Sequence, residues 1–594
     1  MRSFRGYFCW EGFPANGASY DVARNKAELA EQRAHQDGLK PLEAEALELK
    51  GEMMLNQHHF QDAMASLDSA KTIALDTGDV DVLWRTQFHR GQALEQLHRN
   101  DEAVTEYRSA IRTIEDVRAH IAERRFRTGY FQDKQRVYVA LVSLLLRMGR
   151  RSDAFDVSER LREYSFMQLR EGVPEVDSPQ LAESKARVRH LQEMLDTENL
   201  KVSVRQRSEA IRTYSDELIT AQRDLQALLE SNQTLLPQVS ARLDAIQEKL
   251  SPHTALLEYV VDQTQLTTFV LRRSGLQAVV TPVRERDLRA KVELLRDLID
   301  EISSDAWQKP AASLSNLLIT PVEKKGLLTG ITELIVVPHD VLNYLPFAVL
   351  HANRDNRQTF LTERFVIAVA PSAAWLLRPA RMQNADSPRV VSLAPGNSRL
   401  KFAIPEAKRV AALFAPKSEM LLGSRATETK LKATADQYQI IHLATHGFFN
   451  HTNPLFSGIQ LEPDDQNDGR LEVHEIMGLH LNARLVTLSA CDTALGSGDF
   501  SEIPAGDEFV GLSRAFLEAG SDAVLASLWK VNDRSTLTMM SQLYQALKTH
   551  NGPQALARSQ RAMIANPLYR HPFYWAPFVF IGGELNRPDI TAEK

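Results

Sequence analysis

The sequence predicts a multidomain chain: an all-α solenoid of helix pairs, a helical hairpin, then an α/β sandwich with a mainly parallel sheet. Three observations predict it. The stretch near residues 51–70 recurs near 91–110 at an offset of 40. A heptad seam of apolar residues follows in the region 181–228. Beyond residue 251, short apolar runs alternate with helix-like segments, the pattern of a sheet covered by helices. The expected domains are 1–175 for the helical repeats, 176–250 for the connector and 251–594 for the α/β part.

The size and composition narrow the function classes. A chain of 594 residues is long enough for two to four domains. A net charge of −6 argues against a broad nucleic-acid-binding surface, so no direct nucleic-acid partner is expected. Two cysteines, Cys9 and Cys491, exclude a disulfide scaffold and fit a reducing compartment. The first residues lack the apolar core of a secretory signal. No stretch approaches the roughly 20 apolar residues of a membrane span. The chain therefore reads as soluble and cytoplasmic, with no membrane partner.

In the repeats, Gly51 aligns with Gly91, Met54 with Leu94, Ala63 with Ala103, Leu67 with Tyr107 and Ala70 with Ala110. Glycine followed by alanine twelve and nineteen residues later is tetratricopeptide spacing, in which small residues let two antiparallel helices approach closely. A third, weaker copy centres on Ala154. Such pairs bury their apolar faces only by stacking, which creates a concave surface suited to a protein partner. The basic cluster Arg124, Arg125 and Arg127 reads as a solvated helix face.

In the connector, Ile211, Tyr214, Leu218, Ala221, Leu225 and Leu228 follow 3-4 spacing. Leu181, Val188, Leu195 and Val202 repeat every seven. An antiparallel hairpin or a dimerisation coiled coil would both use this seam; about three heptads favour packing within one chain. One more helix is expected over 238–250, ended by Ser251-Pro252. Three strands over 255–261, 266–271 and 276–280 read as an antiparallel meander. Helices near 286–302 and 311–318 precede strands at 334–337, 366–370, 390–394, 440–444, 485–488, 523–528 and 578–581.

Two of these strands end abruptly in small polar residues. Residues 440–449 read IIHLATHGFF and 485–496 read LVTLSACDTALG. Chemistry in open parallel sheets sits beyond the carboxyl ends of the strands. Two neighbouring strands ending this way would bring an imidazole, His446, to a thiol, Cys491: the least apparatus for a cysteine nucleophile with a histidine partner.

The sequence at these residues resembles the CHAT family, caspase-like proteases of the clan that also holds caspases, separases and clostripain. The resemblance rests on Ala444-Thr445-His446-Gly447 and Ser489-Ala490-Cys491-Asp492-Thr493-Ala494. It extends to VVPHDVLNYLPFAVL at 336–350 and GDEFVGLSRAFLEAGSDAVLASLWKVND at 506–533. It implies a caspase-like sandwich and a cysteine endopeptidase with Cys491 as nucleophile, His446 as its partner and no third catalytic residue. It also implies an oxyanion hole from the backbone N–H groups of Gly447 and Cys491. Asp492 either lines the pocket for the residue before the scissile bond or caps a helix. Asp507 and Glu508 either line that pocket or open the next helix. Trp529 and Asp533 are expected at the groove wall. Family members use the helical arm to bind a protein that switches the protease, and several act in bacterial defence on gasdermin-like proteins or partners of RNA-guided systems. Loops over 448–470 and 496–507 are candidates for rearrangement on activation. No metal or cofactor is implied.

Rival signals are weak. His442 and His446 are four apart, as zinc ligands on a helix would be, but the flanks are β-like and His442 reads as a core histidine. Gly511-Leu512-Ser513-Arg514-Ala515 lacks the last glycine of a nucleophile elbow and lies in a helical pattern. No phosphate-binding glycine loop is present. The alternative to a protease is a non-catalytic scaffold acting through its repeats.

Overall fold

The computed structural model describes residues 17–120, 134–166, isolated positions between 187 and 221, 239–354, 357–378, 388–396, 400–448, 456–489, 508–529 and 531–583. The chain divides into two units. One is drawn from Met1–Leu161 and Arg170–Gln238, the other from Arg162–Leu169 and Val239–Lys594.

The first unit is built of helices α1 (Gly17–Gln36), α2 (Lys40–Asn56), α3 (Phe60–Thr77), α4 (Val80–Gln96), α5 (Asn100–His120), α6 (Gln135–Arg147) and α7 (Arg151–Phe166), whose residues from Arg162 on count with the second unit. The repeat read from the sequence is the α2/α3 and α4/α5 pairs. A Cβ on Gly51 would lie 2.6 Å from Leu67, and one on Gly91 would lie 2.5 Å from Tyr107. These are the partners that the alignment at an offset of 40 matched. Ala63, Ala70, Ala103 and Ala110 are fully buried.

The same turn joins each pair. His58 and His98 sit in the left-handed region at φ 62° and 60°, and Gly149 does so at φ 76°. The next residue, His59, Arg99 or Arg150, donates back to the carbonyl of Met54, Leu94 or Leu145 at 2.8–2.9 Å. This closes each helix with a Schellman motif. Ala154, five residues past Gly149 as Ala103 is past His98, is fully buried, so α6/α7 is the third copy. Its turn comes 51 residues after the second (149 − 98) rather than 40, the extra length falling between the second and third pairs.

The expected heptad hairpin falls mostly outside the described residues; Tyr214 and Ala221 are helical. A helix follows at α8 (Val239–Lys249).

The second unit holds an eleven-stranded sheet and its covering helices. Its strands are β1 (Thr254–Val261), β2 (Gln265–Arg272), β3 (Gly275–Pro282), β4 (Glu333–Val337), β5 (Val366–Val369), β6 (Val390–Ala394), β7 (Ser418–Leu422), β8 (Ile440–Leu443), β12 (Leu485–Leu488), β13 (Ala523–Ser527) and β14 (Phe578–Gly582). A separate small sheet holds β9 (Gly447–Phe448), β10 (Gly458–Gln460) and β11 (Arg470–Glu472).

The large sheet runs β3-β2-β1-β4-β5-β14-β13-β12-β8-β6-β7. The β1–β3 meander is antiparallel, and β14 is antiparallel to β13; the other neighbours are parallel. Every residue of β4 after its first, and of β6, β8, β12 and β13, is buried, as parallel strands covered on both faces require. The helices named below are α9 (Glu285–Asp300), α10 (Gln308–Leu318), α11 (Ala403–Leu413), α12 (Glu508–Glu518), α13 (Asp533–Ala546) and α14 (Gly552–Ala565). The amphipathic stripe of α9 places Leu288, Val292, Leu295 and Ile299 inside.

Three parts were not legible as strands, one of them the antiparallel hairpin of His351–Arg354 with Arg357–Phe360. Edge strand β7 reads SEMLL with Met420 exposed, so it lacks an apolar run. The small sheet has strands of two or three residues.

Two predictions follow from the packing. Gly91→Ala drives a methyl into the Tyr107 ring, so the helical unit loses about 1–3 kcal/mol, seen as a lower midpoint for the helical signal in circular dichroism. The second concerns His339, which follows β4. Its Nδ1 accepts from the Val261 N–H at 3.2 Å. Burial, with the Arg162 guanidinium adding to it, lowers the imidazole to about 4. The unfolded chain then binds this proton first, so His339 costs stability as pH falls from about 6.5 toward 4. His339→Gln, whose carbonyl can accept from Val261, is expected to lose less melting temperature between pH 7 and 4.5 than the unaltered chain.

Candidate functional site

The site is built where β8 and β12 end. The two strands are parallel neighbours, with Ile440 opposite Leu485 and Leu443 opposite Leu488. His446 stands three residues beyond Leu443, and Cys491 stands three residues beyond Leu488 in the sequence. His446 thus lies on the segment leaving this edge of the sheet.

Beyond β8 the chain is held at every step. Ala444 N–H donates to the Leu393 carbonyl at 2.9 Å. Thr445, fully buried, donates its hydroxyl to the Gln460 carbonyl. The half-buried His446 accepts at its carbonyl from the Gln460 N–H at 2.8 Å. Gly447 then pairs with Ile459 in the small sheet. The glycine of the proposed oxyanion hole is thus the first residue of a strand that is fixed from its other side. Beyond β12, Ser489 continues the ladder, its N–H donating to the Leu443 carbonyl at 3.0 Å. Cys491, Asp492 and Asp507 lie outside the described residues. Glu508 opens α12.

Under these strand ends lies a buried polar group in otherwise apolar strands. Ser392, His442 and Thr487 form one rung across β6, β8 and β12. His442 Nδ1 is 3.2 Å from the Tyr544 hydroxyl, which donates to Thr487 at 2.8 Å. Burial holds the Tyr544 phenol well above its usual range. His442 Nε2 lies 3.1 Å from Glu406 of α11, and the same carboxylate oxygen accepts from the Ser489 hydroxyl. Tyr544 belongs to α13, whose first residue, Asp533, accepts from the Phe402 N–H at 2.8 Å just before α11. Asp533 therefore ties the starts of two helices. His442 is a core histidine paired with a carboxylate, and it shares no helix face with His446.

The segment after β13 is clamped by a buried arginine. Arg296 of α9 donates to the Leu528 carbonyl at 2.8 Å. Its guanidinium lies 5.8 Å from the Trp529 ring and 5.9 Å from the Tyr344 ring. Burial lowers it to about 10, so it stays charged at neutral pH. Trp529 itself is buried, with its indole N–H toward the Phe573 carbonyl at 3.4 Å. Sequence reading passed over Arg296 and Glu406, and gave Ser489 no role beyond its place in the motif. The charge at Arg296 adjoins the apolar position Leu295 on an amphipathic helix, and Glu406 lies in a helix rich in alanine, so spacing alone marks neither.

The lip beside His446 was also unread. Arg470 stacks on Phe448 with 3.8 Å to the ring centroid, and its Nε is 3.5 Å from Glu472. Residues 456–470 of the loop expected to rearrange are built into this lip. Leu461 N–H meets the Gly469 carbonyl at 2.6 Å, and Asp464 caps its own turn by accepting from Gln466 and Asn467. The rest of that loop and 496–507 lie outside the described residues. Ser513, the elbow-like serine, is buried within α12.

Among the described residues, two groups have metal-ligand character: Glu48, Glu52 and His89, and Glu472, His474 and Glu475. The first is a buried ion pair, with His89 Nδ1 3.0 Å from Glu48 and Arg85 3.5 Å from it. The second lies along a helix start in which Glu472 and Glu475 form a capping box. Among the described residues, no helix is long and apolar enough to cross a membrane.

Gly458 lets β10 and β11 approach, since a Cβ there would lie 2.3 Å from the Leu471 carbonyl oxygen. Gly458→Ala is expected to open the small sheet at a cost of about 1–3 kcal/mol. The measurement is amide exchange at Gln460, roughly ten- to hundredfold faster, with the helical repeats unchanged.

Comparison with known proteins adds the following. Residues 308–583 match the family model described as CHAT domain. Tetratricopeptide repeat protein 28 of Mus musculus is 25% identical over 340 residues, covering 47% of this chain and 13% of that protein. The Homo sapiens protein of the same name is 25% identical over 338 residues, with the same coverage. The chain thus spans only about an eighth of these curated relatives. A separase chain from a Saccharomyces cerevisiae separase–securin complex superposes on 95% of this chain and 47% of its own. Its identity is 12% and its TM-score 0.40, too loose to establish a shared fold.

Proposed function

We propose that this chain, in which tetratricopeptide-like helix pairs precede a CHAT domain, is a caspase-like cysteine endopeptidase using His446 and Cys491. The observation that carries the reading is the β8/β12 register. Leu443 and Leu488 are paired, and the two reactive residue types each follow by three positions. The CHAT match over 308–583 spans both residues.

The chemistry follows from the residue types. The Cys491 thiolate attacks the scissile carbonyl carbon, forming a C–S bond while the π pair moves to oxygen. That oxyanion takes hydrogen bonds from the backbone N–H groups of Gly447 and Cys491. Collapse breaks the C–N bond as imidazolium His446 protonates the departing amine. Water, deprotonated by His446, then attacks the thioester carbonyl; collapse breaks the C–S bond, releasing the acid and restoring the Cys491 thiolate beside imidazolium His446. Gly447 suits its part because its backbone is paired with Ile459 and it carries no side chain of its own.

Asp492, Asp507 and Glu508 are proposed to line a pocket for a basic residue before the cut. Trp529 and Asp533 shape that wall from behind, through the strand end and the helix start they fix. The helical unit is proposed to hold a protein activator on its concave face. A cytoplasmic role in bacterial defence, on a gasdermin-like protein or a partner of an RNA-guided system, is consistent with the family resemblance.

The test compares lysates expressing the unaltered chain, Cys491→Ala and His446→Ala, mapping new protein N-termini by mass spectrometry. Cysteine- and histidine-dependent termini are expected, each substitution lowering cleavage by about a thousandfold or more. Identical termini in all three, with partner binding intact, would instead identify a scaffold.

A further inference from the structure

We propose that Glu406 is the positioning residue of this reaction, setting the spacing of His446 and Cys491 by holding the Ser489 hydroxyl at the end of the strand that leads to Cys491, where Ser489 is bonded to the strand that leads to His446. The proposal rests on reading those two residues as the dyad. One oxygen of the Glu406 carboxylate accepts from the Ser489 hydroxyl, two residues before Cys491; the same oxygen lies 3.1 Å from Nε2 of His442, four residues before His446, in a close contact that is not a hydrogen bond. Ser489 is held twice, since its N–H also donates to the Leu443 carbonyl at 3.0 Å. The contact therefore acts at the last described residue before the nucleophile's segment. Glu406, His442 and Ser489 are each at least nine-tenths buried.

Stability alone does not account for a carboxylate here. Burying a charge costs more than its partners return in many proteins, and an apolar rung of equal volume packs as well. The neighbouring residues of β8 and β12 are apolar and would accept one. What an apolar rung lacks is direction: a hydrogen bond to Ser489 fixes where the chain goes as it leaves β12, and dispersion contacts do not.

Position matters because the thiol reacts as thiolate. A nearby imidazolium lowers the cysteine from its ordinary value of about 8.5, and a displacement of about 1 Å can cost a hundredfold in rate. The assay uses the full chain with Cys9→Ser, which leaves Cys491 as its one thiol. Iodoacetamide alkylation of Cys491 is followed across pH, beside thermal melting, and kcat and KM are measured on a peptide taken from a mapped cut.

In this background the alkylation midpoint is expected well below 8.5. Ser489→Ala should move it back toward 8.5 and lower kcat about ten- to hundredfold, with KM within about twofold. Ser489→Thr, which keeps the hydroxyl, should restore both. Glu406→Met should act as Ser489→Ala does, and if it fails to fold, the Ser489 pair decides alone. If Ser489→Ala lowers the melting point but leaves the alkylation midpoint and kcat unchanged, the network is structural only and the proposal is overturned, while the dyad stands. A background midpoint near 8.5 would overturn the dyad reading and this proposal together.

Discussion

The pairing of Leu443 with Leu488 is the contact on which the rest of the second unit depends. In a parallel ladder, a slip of one residue moves every side chain of a strand to the other face. It would break the Ser392–His442–Thr487 rung and separate Glu406 from its partners. It would also undo the equal offsets of His446 and Cys491 from a shared rung. The apolar residues of β8 and β12 supply burial, and the polar rung supplies the register. Leucine and valine pack nearly as well one step along, whereas a hydroxyl–carboxylate contact does not survive the step.

The strand ends owe their form to antiparallel support from one side. A parallel strand normally runs out into a loop. Here β8 runs into a small antiparallel sheet, so the Gln460 N–H and carbonyl hold His446 and Thr445. Gly458 and Gly469 permit this, since a side chain at either would strike backbone within 3 Å. On the other flank, Arg296 ties Leu528 to the turn at Tyr344. A charged group with no room to move makes a stiff wall, and Trp529 packs against it rather than facing outward.

In the helical unit the governing constraint is close approach. Gly51 against Leu67 and Gly91 against Tyr107 bring paired helices nearer than any side chain at the glycine would allow. The left-handed residues His58, His98 and Gly149 stop the first helix of each pair at the same place. Two of the three are histidines, which adopt this conformation less readily than glycine. The turn is therefore imposed by the packing of the pair, and a search for glycine at helix ends finds only the third.

Much was legible in the sequence because its causes are local or periodic. The offset of 40 between Gly51 and Gly91 identified which residues would touch, since repeated helix pairs repeat their contacts. Buried parallel strands announce themselves as apolar runs, so 390–394 and 485–488 match their strands residue for residue. The motif at His446 and Cys491 was visible for the same reason: it stands just beyond such runs. What the tertiary structure decided has no periodic signature. Strand order put β12 beside β8 and β14 antiparallel beside β13, a choice among pairings that local sequence leaves equal. Glu406 stands 83 residues from Ser489, and Arg296 stands 232 from Leu528. Contacts so distant depend on how helices pack across the sheet, and that packing exists only once the chain has folded.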